Sequence, residues 1–276
     1  MKDYIIELNN LTFSYSDGTK ALNNLNLKIE RGKKISFLGI NGAGKSTLFL
    51  HLNGILKPTK GEILFNKVPL KYSQKDLKKI RQKIGIVFQD PDIQLFSANV
   101  YQEVSFGAMN LNLEKTEVIR RVDKALQDTN VFEYKHKPTH FLSYGQKKRV
   151  SIADILVMEP EVIILDEPTS SLDPKHSAMI EELLNDINKT GTTLLLSTHD
   201  IDFAYSWSDY IFILKDGKLV GEGTPEEVFE NNEWIETGDI EKPLVFEVYK
   251  SLEAKGLVDK ASIPRNKEQL LKLIGT

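Results

Sequence analysis

Between residues 35 and 58 the chain runs from an apolar tetrad, Ile35-Ser36-Phe37-Leu38, through GINGAGKST at 39–47. It continues into a segment that reads as a helix over Ser46–Leu56 and stops before Pro58. Gly39, Gly42 and Gly44 permit a curled backbone that side chains would resist. A strand, a tight glycine loop and a helix form the opening of a parallel α/β sheet. Short apolar runs at Ile84–Phe88, Val162–Leu165 and Thr192–Ser197 supply further strands, and their near-continuous apolar character suits burial on both faces. Helical spacing lies between them at 114–128, 146–158 and 176–189. Residues 4–31 alternate instead (Ile6, Leu8, Leu11, Phe13, then Leu25, Leu27, Ile29), with Asp17-Gly18 able to turn the chain, which predicts antiparallel strands. Residues 97–140 have helical spacing. From about 240 the pattern changes again: Leu244, Val245, Val248 and Leu252 fit one helical face, and Lys267–Ile274 fit another.

Composition narrows the setting. The 276 residues are 41% hydrophobic and 27% charged, an ordinary globular balance, and the net charge of −3 argues against a basic nucleic-acid-binding face. Without cysteine, disulfides and thiolate metal sites are excluded. The amino terminus has no signal-peptide core, and no stretch approaches the roughly 18–20 apolar residues needed to span a bilayer. The expectation is a cytoplasmic chain, held at any membrane by another protein.

The loop 39–47 matches G-x-x-x-x-G-K-[ST] in full. Its backbone N–H groups, including those of Asn41, Gly42, Ala43 and Gly44, would cradle phosphate oxygens, the helix opening at Ser46-Thr47 adding its positive end. Lys45 would neutralise the β- and γ-phosphates of ATP, and the Ser46 hydroxyl would bind Mg²⁺. Asp166 ends an apolar strand at the sheet edge where such folds hold ligands, and suits the Mg²⁺ shell. Glu167, one residue on, is the candidate to polarise the attacking water. Tyr15, ahead of the loop, offers an aromatic face for adenine. Lys147, Lys148 and Arg149 form a basic run that reads either as a solvated helix face or as a phosphate or interface contact. His51, His136, His140 and His176 have no motif around them.

LSYGQKKRV at 142–150, followed closely by VIILDEP at 162–168, together with the phosphate loop, resembles the ATP-binding-cassette (ABC) ATPases over nearly the whole chain. The resemblance implies an α/β P-loop NTPase fold of the ABC-ATPase type: a mixed, mainly parallel sheet core, an antiparallel β subdomain and an inserted helical subdomain. It implies a nucleotide-binding domain over 1–239, with the helical part inserted at about 97–158, and a short helical extension over 240–276. It gives His199 the part of a switch histidine on the γ-phosphate, and Gln89 that of a residue touching Mg²⁺ and the attacking water. Ser143, Gly145 and Gln146 would close over ATP held by a second ATPase subunit, identical or related, and Ser171-Leu172-Asp173 would cross that seam. Tyr144 departs from the common pattern, which has glycine, and so questions any unusual backbone angle there.

FQDPDIQLF at 88–96, the run from 142 to 174 and AYSWSDYIFILKDGKLVGEGTPEEVF at 204–229 narrow the resemblance to the cobalt and energy-coupling-factor (ECF) importer ATPases. Their likeness implies an ATPase energising uptake at the cytoplasmic face of the cell membrane, with a transmembrane coupling protein, a small substrate-capturing membrane protein and no nucleic acid. Cobalt is the cargo favoured by likeness alone; nickel, biotin, riboflavin and other vitamins stay open. The alternatives are a non-transport cassette acting on nucleic acid or the ribosome, and a bare ATP-binding regulator. The former usually carries paired cassettes, a long coiled coil or basic extensions, none of which this sequence contains. The segment 89–96, with acids beside Ile93, Leu95 and Phe96, is expected to contribute to a groove for a partner's helix.

Overall fold

A computed structural model describes residues 2–258 and 263–275. The alternating amino-terminal segment forms β1 (Tyr4–Ser14) and β2 (Lys20–Glu30), paired antiparallel with Leu8 opposite Leu27 and Leu11 opposite Leu25. Gly18, at φ +89°, turns the chain between them, and the Asp17 carboxylate accepts from the Thr19 amide at 2.8 Å. The chain then makes β3 (Lys34–Leu38) and α1 (Lys45–Leu52), after which β4 (Lys60–Phe65) returns to the far side of β1 and β5 (Val68–Pro69) edges it. α1 is shorter than the expected Ser46–Leu56, because Gly54 adopts φ +72° just past the Asn53 cap and the Ile55 and Leu56 amides fold back onto the Leu50 carbonyl.

The second sheet builds outward from β3. After α2 (Gln74–Lys83) come β6 (Ile84–Val87), then α3 (Val100–Met109), α4 (Lys115–Asp128) and α5 (Tyr144–Leu156). The alternation resumes with β7 (Val162–Asp166), α6 (Pro174–Lys189), β8 (Thr193–Ser197), α7 (Ile201–Trp207), β9 (Tyr210–Lys215) and β10 (Lys218–Gly223). The strand order is β10-β9-β3-β8-β7-β6, parallel from β9 to β6 with β10 antiparallel at the edge. Successive residues of β7 and β8 enter different cores. Val162, Ile164 and Leu195 pack with Phe37, Phe49 and the antiparallel sheet, whereas Ile163, Leu165, Leu194 and Leu196 pack with Ile180 and Leu184 of α6. Both faces are dry, which is why these strands read as apolar runs rather than as alternation.

α3, α4 and α5 share a third core around Val104, Val122, Leu126, Val150 and Ala153. After β10 come α8 (Pro225–Glu230), α9 (Asn232–Gly238), α10 (Leu244–Ala254) and α11 (Lys267–Leu273). The α10 face differs from the expected one. Phe246 and Tyr249 are the buried residues, Phe246 packing against Tyr205 and Phe229, while Leu244 is 64% exposed and Val248 is exposed too. Aromatic area decides the helix's rotation: two large rings gain more from burial than the smaller aliphatics they displace.

Candidate active site

Register alone gathers the motif residues. Leu165 pairs with both Val87 and Leu196, and Ser197 pairs with both Asp166 and Phe37, all in parallel. The segments leaving these strands therefore emerge side by side at the carboxyl edge: the glycine loop after Leu38, Gln89 after β6, Asp166-Glu167 from β7 and His199 after β8. This is where an open α/β sheet holds its ligand.

The loop's glycines are conformational requirements. Gly39, Gly42 and Gly44 take φ of +144°, +84° and +102°. A Cβ on Gly39 would lie 2.2 Å from the Leu214 carbonyl oxygen, and one on Gly44 2.6 Å from that of Ala21. Lys45 opens α1 and is itself buried, its ammonium donating to the carbonyls of Gly39 (2.6 Å) and Ile40 (3.1 Å). Burial lowers its pKa, and the charges of Glu167 and Asp166 oppose that. Ser46 is exposed and Asn41 sits at the loop's crest. The Tyr15 hydroxyl lies 2.9 Å from that of Thr47, and its ring meets Phe13 edge-on. His51 backs the loop, bonding the Thr47 carbonyl at 2.7 Å and packing edge-on against Phe13.

Asp166 and Glu167 are neighbours with different surroundings. Ser197 donates its hydroxyl to Asp166 Oδ1, and the same hydroxyl accepts from the Glu167 amide at 3.1 Å. Glu167 takes φ +47°, a left-handed angle that costs a non-glycine residue about 1–3 kcal/mol. With the acid only 9% exposed, its Oε2 accepts from His199 Nδ1 at 2.8 Å, and the imidazole is left largely in solvent. Ser197 carried no motif in the sequence, although it is a polar residue at the inner end of an apolar strand. Ser197→Ala leaves an Asp166 oxygen without its partner and the Glu167 amide with only the Ser197 carbonyl. It is expected to lower ATP turnover about tenfold, with nucleotide affinity little changed. Steady-state kinetics beside equilibrium nucleotide binding would check this, and an unaltered turnover would remove Ser197 from the site.

The segment 142–150 resolves the question that Tyr144 raised. Ser143, at φ −66°, is the N-cap of α5, and Tyr144 is the first helical residue without a positive φ. A side chain is therefore tolerated. Ser143 accepts from the Gln146 amide while the Gln146 side chain accepts from the Ser143 amide, a reciprocal cap that occupies the Gln146 oxygen. A Cβ on Gly145 would come within 3.0 Å of the His176 ring and 3.6 Å of Leu172, so α5 packs closely there against His176 of the chain's own α6. His176 is in turn held by Asp173, which caps α6. The basic run turns inward, in neither of the expected ways. Lys147 pairs with Asp92 at 2.6 Å, Lys148 bonds the Phe88 and Gln89 carbonyls, and Arg149 bonds those of Thr129 and Asn130. Ser143 itself is exposed, and among the described residues no hydrogen bond joins 143–146 to 39–47.

Segment 89–96 divides its apolar residues. Ile93 (70% exposed) and Phe96 (67%) face outward, and Leu95 packs into the helical core. Beside it lies a cleft of about 610 Å³ between α2, α3 and α5, lined by Leu77, Arg81, Phe106, Asn110, Asp154 and Met158. Phe96 reaches it by an edge contact with Phe106 at 5.1 Å. Burial pushes the Asp154 carboxyl up to about 7. Among the described residues no helix is long and apolar enough to cross a membrane.

Comparison with known proteins agrees with this geometry. The model of the family described as ABC transporter matches residues 22–170. A relative from Methanosarcina mazei is 49% identical over 261 residues, which are 95% of this chain and 58% of that relative, so the chain spans less than two thirds of it. An energy-coupling factor transporter ATP-binding protein, EcfA2, from Clostridium perfringens is 50% identical over 92% of this chain and 90% of its own length. Among solved structures, cbiO1 from Clostridium perfringens, described as part of the ABC transporter complex cbiONQ, superposes with a TM-score of 0.78 at 50% identity, covering 92% of this chain and all of that one. With its glycine loop, its acid pair and its capped LSYGQ helix in one cassette, this chain belongs to the ABC transporter family, as an ATP-binding and ATP-hydrolysing member.

Proposed function

We propose that the chain energises an ECF-type importer as one of two ATPase subunits meeting head to tail, each lending Ser143 and Gly145 to the ATP held by the other. The observation that carries this reading is the division of the machinery: a complete phosphate-binding loop and an exposed, capped α5 start, with no hydrogen bond among the described residues joining 143–146 to the loop 39–47. At its own edge Lys45 would bind the β- and γ-phosphates, Tyr15 would stack on adenine, and Glu167 would take a proton from the attacking water. His199, hydrogen-bonded to that acid, would hold its orientation and face the γ-phosphate.

The donor set suits Mg²⁺. The Ser46 hydroxyl, Asp166 Oδ2 and the Gln89 amide oxygen are hard oxygen ligands, and none makes a hydrogen bond among the described residues. Bound there, Mg²⁺ would neutralise charge developing between the β- and γ-phosphates.

The transmembrane coupling protein would dock in the cleft between α2, α3 and α5, at the cytoplasmic face of the membrane, and a substrate-capturing membrane protein would select the cargo. Cobalt is the favoured cargo. The cleft has the make-up that receives an amphipathic helix, with Phe106 and Met158 among Arg81 and Asp154. The division at 239, separating the cassette from the helical extension, belongs to the same reading. Phe106→Asp, on a side chain 52% exposed, is expected to abolish copurification with the coupling protein while nucleotide binding by the isolated chain stays within twofold of normal. Affinity purification from detergent-solubilised membranes tests the reading as a whole. Recovery of nucleic acid or ribosomes in place of a membrane protein would favour the other class of cassette.

A further inference from the structure

One face of α5 is given over to a single segment. Tyr144, Lys147, Lys148, Ser151 and Asp154 recur at helical spacings of three or four, and all meet residues 88–94. The Tyr144 hydroxyl donates to the Gln89 carbonyl at 3.1 Å. The Lys148 ammonium donates to the same carbonyl at 2.6 Å and to that of Phe88 at 3.1 Å. Lys147 pairs with Asp92, and the Gln94 amide donates to the Ser151 carbonyl (3.0 Å) and the Asp154 carboxylate (3.3 Å). Gln94 also accepts from the Phe88 amide, closing the segment on itself. The stretch leaving β6 is thus fastened along about three turns of α5.

The ties differ in kind. Lys148 is fully buried, and an ammonium in such a place must be hydrogen-bonded, so its contacts hold the fold together. Tyr144 is different. It stands at the first position of the helix, beside the exposed Ser143, with its ring partly in solvent. Burial and the charges of Asp90 and Asp92 push its phenol pKa up, so it remains a hydroxyl and a donor. The Gln89 carbonyl thereby takes two donors from α5, one of them from the residue adjoining Ser143. The Gln89 side chain is exposed and makes no hydrogen bond among the described residues, so its backbone, held by Tyr144 and Lys148, is what fixes the point from which it reaches out.

We propose that Tyr144 is a positioning residue that ties the start of α5 to Gln89, so that engagement of Ser143 by one nucleotide sets the placement of Gln89 at the other. This rests on the reading above, in which Gln89 serves its own chain's ATP and Ser143 the partner's. Glycine at 144 would have no hydroxyl to make the tie, and phenylalanine would keep the ring without it.

The test is a double-mutant cycle on the full chain with MgATP, using Tyr144→Phe, Gln89→Ala and both together. Tyr144→Phe is expected to lower kcat about three- to tenfold, the range for one lost hydrogen bond, with KM unchanged. In the Glu167→Gln background it is expected to leave ATP-driven dimerisation intact. On top of Gln89→Ala it should cost nothing further, because there is no longer a side chain to position; a merely structural role would instead multiply the two losses. An unchanged kcat for Tyr144→Phe beside an impaired Gln89→Ala overturns the tie alone, as do multiplying losses. An unimpaired Gln89→Ala overturns the reading of Gln89 on which the tie depends.

Discussion

Glu167→Gln is expected to slow ATP hydrolysis about 10²–10³-fold while leaving MgATP bound, the range that single preorganised catalytic groups supply. The amide keeps the volume of the acid and an oxygen to accept from His199 Nδ1, so the packing around a residue only 9% exposed survives. What it loses is the carboxylate's ability to take a proton. The left-handed angle at 167 sharpens the expectation. Strain of this size persists only where the surroundings over-determine it, and here the Glu167 amide is pinned by both the hydroxyl and the carbonyl of Ser197. Lys45→Ala serves as the contrasting control, losing binding and turnover together because its ammonium is the cation of the loop. Single-turnover hydrolysis beside equilibrium nucleotide binding separates the two variants. Near-normal hydrolysis by Glu167→Gln would take the base role away from this residue.

Ser143→Arg should be as damaging from the opposite side of the dimer. The Ser143 oxygen caps α5, and the helix start it marks is where a phosphate from the partner's nucleotide would lie. An arginine there fills that space with a long side chain and gives up a cap worth about 1 kcal/mol. Turnover is expected to fall roughly 10²-fold or more, comparable with removing a catalytic group, while the isolated chain's affinity for nucleotide stays close to normal. Binding measured with a fluorescent nucleotide beside steady-state hydrolysis checks both halves. Loss of nucleotide affinity in the separate chain would place Ser143 at its own phosphate loop instead.

The parts that could be read from the sequence share one property: their chemistry is local. The glycine loop, the apolar strands of a two-sided sheet and the Asp166-Glu167 turn each declare themselves within a few residues. The sheet edge they form follows from parallel register, which the apolar runs imply. What stayed hidden depends on residues far apart in the chain. Lys148 reaches carbonyls 59 and 60 residues upstream, and Ser197 meets Asp166 31 residues away, so neither could be told from an ordinary helix-face lysine or strand serine. Tyr144 stands out in the sequence because glycine is common at that position; with Ser143 as the cap, position 144 has an ordinary helical angle that tyrosine adopts freely. The α10 face went astray because an aliphatic stripe and an aromatic pair offer the same spacing, and the partners Tyr205 and Phe229 that choose between them lie on α7 and α8. The cleft beside 89–96 gave no sign in the sequence because its walls come from three helices separated along the chain.

The central claim is that the phosphate-binding edge of one chain and the α5 start of another make a single site. Sedimentation velocity of the Glu167→Gln protein, with and without MgATP, tests it most directly, since this variant holds ATP without consuming it. The account predicts a dimer at saturating MgATP that returns to monomer when the nucleotide is withdrawn. A protein that stays monomeric at saturating MgATP, with the membrane coupling partner also present, would contradict it.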